Sequence, residues 1–257
     1  MSDGREILFD AAEFAGRAAL VTGGSDGLGE HLTRTLCGLD CEVWFCGRRG
    51  EVGQALATEL GPRAHFVRCD LSDADDCRAF VAAAAAGSER LDYVVNNAAT
   101  DPRIGFEAGS DADFERILDT NLRSYVVVTQ AALPWLRRGA GRAIVNIGST
   151  NYLFGNAEMT LYGAAKAGIY GLTRGLAREL GPEGLRVNLL SPGWIATRRQ
   201  LAEHLTSADQ QRLLEQQCVK EVIEPRHVTP VTLFLLSRAA RALSGQQIVV
   251  DGGYWLL

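Results

Sequence analysis

Residues Val21–Gly29 read V-T-G-G-S-D-G-L-G, and two different machines fit that stretch. As G-x-S-x-G (Gly23, Ser25, Gly27) it is a nucleophile elbow, with Ser25 attacking an acyl carbon at the top of a hydrolase sheet. As T-G-x-x-x-G-x-G (Thr22, Gly23, Gly27, Gly29) it is a strand-to-helix turn that lets a dinucleotide pyrophosphate approach the backbone. A nucleophile elbow draws its second oxyanion donor from a loop after an earlier strand. Only about twenty residues precede this loop, and they hold no such strand. In the phosphate reading, Gly23 permits the tight turn, Gly27 lets the pyrophosphate lie close, and Gly29 lets the helix pack on the strand. The helix N-terminus then faces the phosphates. A short glycine motif also occurs in ordinary βα turns; standing at the first strand, first turn and first helix gives it weight. Ser25 is a cradle residue.

Working outward from the loop, apolar runs of strand length alternate with helical patterns along the whole chain. The expected strands are Ala18–Thr22, Glu42–Cys46, His65–Cys69, Tyr93–Asn96, Ala143–Ile147, Arg186–Leu190 and Gln247–Val250. Their apolar character is continuous rather than alternating, which suits a parallel sheet covered on both faces. Helical periodicity fills Gly27–Leu39, Gly50–Leu60, Asp73–Ala86, Asp111–Arg138, Thr160–Leu180 and His227–Ser237. This alternation, with right-handed crossovers, predicts an α/β fold: one doubly wound parallel sheet of about seven strands, a Rossmann fold with helices on both faces. The domain is expected over 16–257, after an N-terminal extension at 1–15. Residues 193–225 are too long for a plain connection and are expected to form a substrate-binding insertion or lid.

Bulk properties narrow the function classes. Of 257 residues 47% are apolar and 22% charged, and the net charge is −5, so the protein's field gives no reason to expect nucleic acid or an anionic membrane as partner. The start, MSDGREILFDAAEFAGR, lacks the basic residues and apolar run of a secretion signal, and no apolar run approaches the roughly 18 residues of a membrane span. A cytoplasmic location is expected. The six cysteines form no C-x-x-C pair and read as buried free thiols, while the four histidines show no metal-binding spacing, so no metal is expected.

The end of the second strand bears on the cofactor. An acid there suits the ribose hydroxyls of NAD, whereas an arginine suits the 2′-phosphate of NADP. This chain reads W-F-C-G-R-R-G, with Gly47 at the acid position and Arg48 and Arg49 after it. NADP is therefore expected in preference to NAD. Against it stand Asp26 in the glycine loop and the plain alternative that the arginines face water.

Of the 26 cationic residues only Lys166 and Lys220 are lysines. Lys166 follows Tyr162 by four residues, which on a helix puts both side chains on one face. A compact ammonium beside a phenol lowers the phenol's pKa from about 10 toward neutrality and makes tyrosinate a usable base. Arginine does not imitate that point charge. Tyr-x-x-x-Lys is common on helices as a surface pair; the lysine's rarity here shifts the balance. Ser149 ends the fifth strand, where ligands of such sheets bind and a hydroxyl can donate to a substrate oxygen. Standing alone it would be a turn serine.

T-G-G-S-D-G-L-G, N-N-A-A (Asn96–Ala99), Asn121, Ser149, Tyr162-x-x-x-Lys166, S-P-G-W (Ser191–Trp194) and D-G-G (Asp251–Gly253) together resemble the short-chain dehydrogenase/reductase family, in order and at family spacing from about Gly16 onward. The resemblance implies that Tyr162 is the acid/base, that Lys166 lowers its pKa and holds the nicotinamide ribose, that Ser149 orients the substrate oxygen and that Asn121 holds the water of a proton relay. It places the cofactor along Gly23, Ser25, Asp26, Gly27 and Leu28, with Asp70 and Leu71 at the adenine and Asn97 at the adjoining ribose. Ala98, Pro192, Gly193 and Ile195 complete that lining. Two departures stand out: N-N-A-A replaces the family's N-N-A-G, and Asp26 occupies a position often small or basic.

Within the family, N-N-A-A-T-D-P-R, P-G-W-I-A-T-R-R-Q-L and Q-Q-C-V-K are similar to bacterial aldose dehydrogenases, which oxidise a sugar to its lactone. Asn151, Asp101, Arg103, Gln217 and Lys220 offer hydrogen bonds to hydroxyls, and Trp194 offers a face for a sugar ring. The expected function is oxidation of an aldose by a nicotinamide cofactor. The alternatives are an NADPH-dependent ketone or 3-oxoacyl reductase, a nucleotide-sensing binding protein and, last, a hydrolase. The apolar positions of Asp111–Arg138 and Thr160–Leu180 lie on more than one face, so a homo-oligomer is expected, by resemblance a tetramer.

Overall fold

Seven strands form where the apolar runs lie: β1 (Ala18–Val21), β2 (Glu42–Gly47), β3 (Ala64–Arg68), β4 (Tyr93–Asn96), β5 (Ala143–Ile147), β6 (Arg186–Pro192) and β7 (Gln247–Val250). The computed structural model describes residues 10–256, so the expectations for residues 1–9 and 257 lie outside the described residues. All strand pairs are parallel, in the order β3-β2-β1-β4-β5-β6-β7. The chain steps outward from β1 to β3 and then returns to place β4 beside β1. A crevice opens beyond the carboxyl ends at that reversal, where ligands of such sheets bind.

Around the sheet run α1 (Gly27–Gly38), α2 (Gly50–Leu60), α3 (Ala74–Ser88), α4 (Asp111–Leu118), α5 (Ser124–Leu136), the short α6 (Asn151–Phe154), α7 (Thr160–Leu180), α8 (Arg198–Glu203), α9 (Ser207–Gln216) and α10 (Pro225–Leu236). Because side chains alternate across a strand, Ala19, Val21, Val43, Phe45, Val95 and Val145 pack on one face against Leu32 and Leu36 of α1 and Val228, Leu233 and Leu236 of α10. Leu20, Val94, Ile144 and Val187 pack on the other against Phe80 and Val81 of α3 and Val128, Ala132 and Leu136 of α5. Both faces are covered, which is why the strands read as unbroken apolar runs. Each such side chain contributes about 1.5–3 kcal/mol on burial.

Three expectations change. A short 3-10 turn (Ala11–Phe14) inserts Phe14 fully into the first of these cores, its ring 5.4 Å from that of Tyr93, so this part of the N-terminal extension belongs to the domain. The helix expected over Asp111–Arg138 is broken by a π turn at Asp119–Arg123. There the Asn121 amide donates to Ile117 O (2.9 Å) and the Ser124 hydroxyl to Thr120 O (2.7 Å), and the wider turn carries Asn121 inward. Flanking Leu118 and Ser124 keep ordinary helical dihedrals, so α-helix resumes on either side of the turn. Five cysteines are buried free thiols, but Cys218, in the segment before α10, is exposed. No helix among the described residues is long and apolar enough to cross a membrane.

Candidate active site

One cleft of about 1310 Å³ opens at the carboxyl ends of the central strands and is lined from Gly23 to Tyr254. All the site residues expected from sequence line it except Asn121 and Lys220.

At one end is the glycine loop. Asp26 caps α1, its carboxylate accepting from Gly27 N at 2.9 Å. Thr22 Oγ1 accepts from the backbone of Asn97 (2.9 Å) and Ala98 (3.1 Å), and the Asn97 amide donates to Thr22 O at 2.9 Å. The loops after β1 and β4 are thereby held together. A Cβ at Gly29 would collide with Gly23 O, so only glycine lets α1 start this close to β1. These features fit a dinucleotide: Gly27 holds φ +54°, and a small-residue floor and a helix N-terminus line the cleft where a pyrophosphate needs them. Ser25 is buried beside Gly47. No histidine lines the cleft among the described residues, so the serine–histidine pair of a nucleophile elbow is not assembled at Ser25.

The arginine pair divides. Arg49 is ion-paired with Asp26 at 2.6 Å, while the exposed Arg48 forms no ion pair among the described residues and bears on Asp70, whose carboxyl is held low chiefly by its hydrogen bonds from Ser72. A Cβ at Gly47 would crowd Ser25 Oγ, a hydroxyl that can turn aside.

At the other end, Ser149 follows β5 and Tyr162 and Lys166 share a face of α7. Lys166 is 1% exposed. Its ammonium donates to Ile147 O (2.9 Å) and the Tyr125 hydroxyl (3.3 Å), and lies 5.3 and 5.7 Å from the ring centroids of Tyr125 and Tyr162. Ser149 bears on the Tyr162 phenol, favouring its ionised form, and its hydroxyl accepts from Asn151 N at 3.1 Å. Burial pushes the Tyr162 phenol well up; Asp101 adds to that, while Ser149 and Arg199 oppose it. Burial likewise pulls Lys166 down to about 7 against the carboxylate of Asp101. Burial works against the expected lowering of the phenol, because desolvation penalises the charged form of both groups.

Two residues depart from their expected places. The Asn121 amide is occupied: it accepts from Thr100 N (3.0 Å) and donates to Thr100 O (2.8 Å) and Ile117 O, pinning the loop after β4. Lys220 is exposed, and its ammonium donates to Gln217 O (2.5 Å) and Glu215 O (3.0 Å), closing the C-terminus of α9. Its expected sugar contact is corrected: it serves the helix end.

Tyr125, Arg199 and Gln200 were not legible. Tyr125 sits in an apolar helix like any core aromatic, and Arg199 is one of 24 arginines. Yet Asp101, 13% exposed, holds Arg199 Nη2 at 2.5 Å and Gln200 Nε2 at 2.7 Å. Gln200 Oε1 accepts from Trp194 Nε1 at 2.7 Å, and the Arg103 guanidinium lies 5.0 Å above the Trp194 ring. The substrate end thus carries an aromatic face ringed by carboxylate, amide and guanidinium groups.

Comparison with known proteins gives one answer. The family model described as enoyl-(acyl carrier protein) reductase matches residues 23–255. The chain is 36% identical over 241 residues to a protein described as a probable galactose dehydrogenase of Rhizobium meliloti, covering 92% of this chain and 94% of that one. It is 34% identical over 242 residues to D-xylose 1-dehydrogenase of Caulobacter vibrioides, covering 93% and 96%. A crystal structure of a short-chain dehydrogenase from Burkholderia cenocepacia in complex with NADP matches with a TM-score of 0.87 at 30% identity, covering 94% and 98%.

Proposed function

The chain belongs to the short-chain dehydrogenase/reductase family and is an NAD(P)-dependent oxidoreductase, and from that premise we propose that it oxidises an aldose at its anomeric carbon to the lactone. The carrying observation is the substrate end of the cleft, where Trp194 lies within the polar ring of Asp101, Gln200 and Arg103 beside Ser149 and Tyr162. An aromatic face with hydrogen-bonding groups around its edge suits a sugar ring. Galactose and xylose are the sugars named for the two relatives.

In this reading Ser149 donates to the anomeric oxygen and Tyr162, as phenolate, takes that oxygen's proton. A bound nicotinamide supplies the acceptor for the hydride leaving the same carbon. The carbon–oxygen bond becomes the lactone carbonyl as the O–H and C–H bonds break. Lys166, fixed by Ile147 and Tyr125, holds the nicotinamide ribose and steadies the phenolate. The Asn121 side chain keeps Thr100 in place at the cleft wall.

The purified protein should reduce the cofactor with D-galactose or D-xylose, and should lose far more activity with a deoxy sugar than with one bearing an added methyl at the pocket edge. A missing hydroxyl strands its buried partner, whereas a methyl only crowds the wall. No reduction with any aldose, alongside NADPH oxidation by a ketone or a 3-oxoacyl thioester, would replace the sugar by the carbonyl substrate that the family model's description suggests.

We read the cofactor as NADP in preference to NAD. Support comes from Arg48, exposed in the cleft with no ion pair among the described residues, and from Gly47, which leaves the strand end without the acid that suits NAD. Arg48→Ala should raise the KM for NADP by about one to two decades, the worth of a charge-assisted contact of roughly 1.5–3 kcal/mol, and leave the KM for NAD nearly unchanged. Equal changes for both cofactors would reduce Arg48 to a solvated charge. We also place the protein in the cytoplasm as a homo-oligomer, a tetramer by family resemblance; exposed Phe114 on α4 and Val126 on α5 give that assembly apolar surface to cover.

A further inference from the structure

The insertion that carries α8 is tied down at both ends of the cleft. Toward the cofactor end, Arg198 reaches Asp26 (3.5 Å) and Glu30 (3.4 Å) but stays 77% exposed. Toward the reacting end, both oxygens of the half-buried Asp101 are used, one by Arg199 and one by Gln200. Gln200 continues to Trp194, and Trp194 stacks under Arg103, two residues beyond Asp101. Asp101, Gln200, Trp194 and Arg103 thus close a ring between the loop after β4 and the insertion.

We propose that Asp101 is a positioning residue for the reaction: its carboxylate latches α8 across the substrate end of the cleft and places a fixed negative charge beside the acid/base. This rests on the reading of Tyr162 as that acid/base. The groups bearing on Tyr162 are Asp101 from the β4 loop, Arg199 from α8, Lys166 from α7, Ser149 after β5 and Tyr125 from α5. Among the charged ones, Asp101 makes the phenol harder to ionise and Arg199 makes it easier. The latch therefore sets two opposed charges against each other at one ion pair, and removing either one unbalances the base in a known direction. Asp101 also favours the charged form of Lys166 against the larger, opposing effect of burial, so loss of the carboxylate reaches both side chains.

The test is the pH profile of kcat/KM for oxidation of D-galactose or D-xylose by wild type, Asp101→Asn and Arg199→Gln. Oxidation needs phenolate, so its rate rises with pH through the phenol's pKa. Asp101→Asn should move that acid limb down by about one pH unit and Arg199→Gln should move it up. Should only carbonyl reduction be observed, the tyrosine serves as acid and its alkaline limb shifts in the same two directions. Backbone hydrogen exchange over 198–203 in the ligand-free protein reads the latch without any substrate, and should quicken in Asp101→Ala and Arg199→Gln. Limbs that stay in place, or move together, overturn the charge role, and unchanged exchange overturns the latch. Full turnover in Tyr162→Phe instead removes the acid/base reading; a dead Tyr162→Phe with unmoved limbs removes Asp101 alone.

Discussion

Tyr162→Phe should lose about two to four decades in kcat, the worth of a positioned proton-transfer group, while NADP binds almost as before. The ring keeps its place beside Lys166 and only the hydroxyl is lost. Stopped-flow turnover together with a cofactor titration separates the two effects. The phenol is buried and pushed well up, so wild-type oxidation should rise steadily from neutral into alkaline pH rather than level off near pH 7. Reduction by the same enzyme should stay level over that range, because the phenol it needs as acid remains protonated until the pH nears its raised pKa. A variant retaining wild-type kcat would strip Tyr162 of its role.

Lys166→Met should lower kcat by a similar order and, unlike Tyr162→Phe, also weaken cofactor binding, since the ammonium is read as serving both the phenolate and the nicotinamide ribose. Lys166→Arg should not restore activity. The planar guanidinium has no room to meet Ile147 O and the Tyr125 hydroxyl from a site 1% exposed. Stability should move the other way. The unfolded chain holds this proton up to about pH 10.4, the folded chain only up to about 7. Folding is therefore penalised below pH 10.4, increasingly down to about 7 and fully below it. Lys166→Met removes the penalty, so at pH 6 it should melt at the same temperature as wild type or higher. A melting point well below wild type would mean that the activity loss reports unfolding. Function at this position is held at a cost to stability.

Much of the site was legible because it is written in short-range patterns. The glycine loop after the first strand and Gly47-Arg48-Arg49 after the second were singled out by local pattern, and they line one cleft. Tyr162 and Lys166 share a face because four residues make about one helical turn. Lys220 shows the limit of the same reasoning. Its rarity singled it out as well as Lys166's did, but rarity carries no direction, and the fold turned its ammonium to two carbonyls at the end of α9. Asn121 was singled out in the sequence, while the π turn that carries its side chain inward was not, because the expected helix ran unbroken through Asp111–Arg138.

By itself the sequence determined the doubly wound sheet, its strand boundaries to within a residue or two, and which end of the strands carries the chemistry. All of these follow from local alternation of apolar runs and from the backbone freedom of a few glycines. Only the tertiary structure decided how far Tyr162 and Lys166 are desolvated, because no spacing in the chain records how much water each group loses. It alone brought Asp101 to Arg199, 98 residues away, and folded the insertion over the substrate end. An ion pair across that separation leaves no periodic trace; it exists because β4 and β6 deliver their loops to the same rim of the sheet.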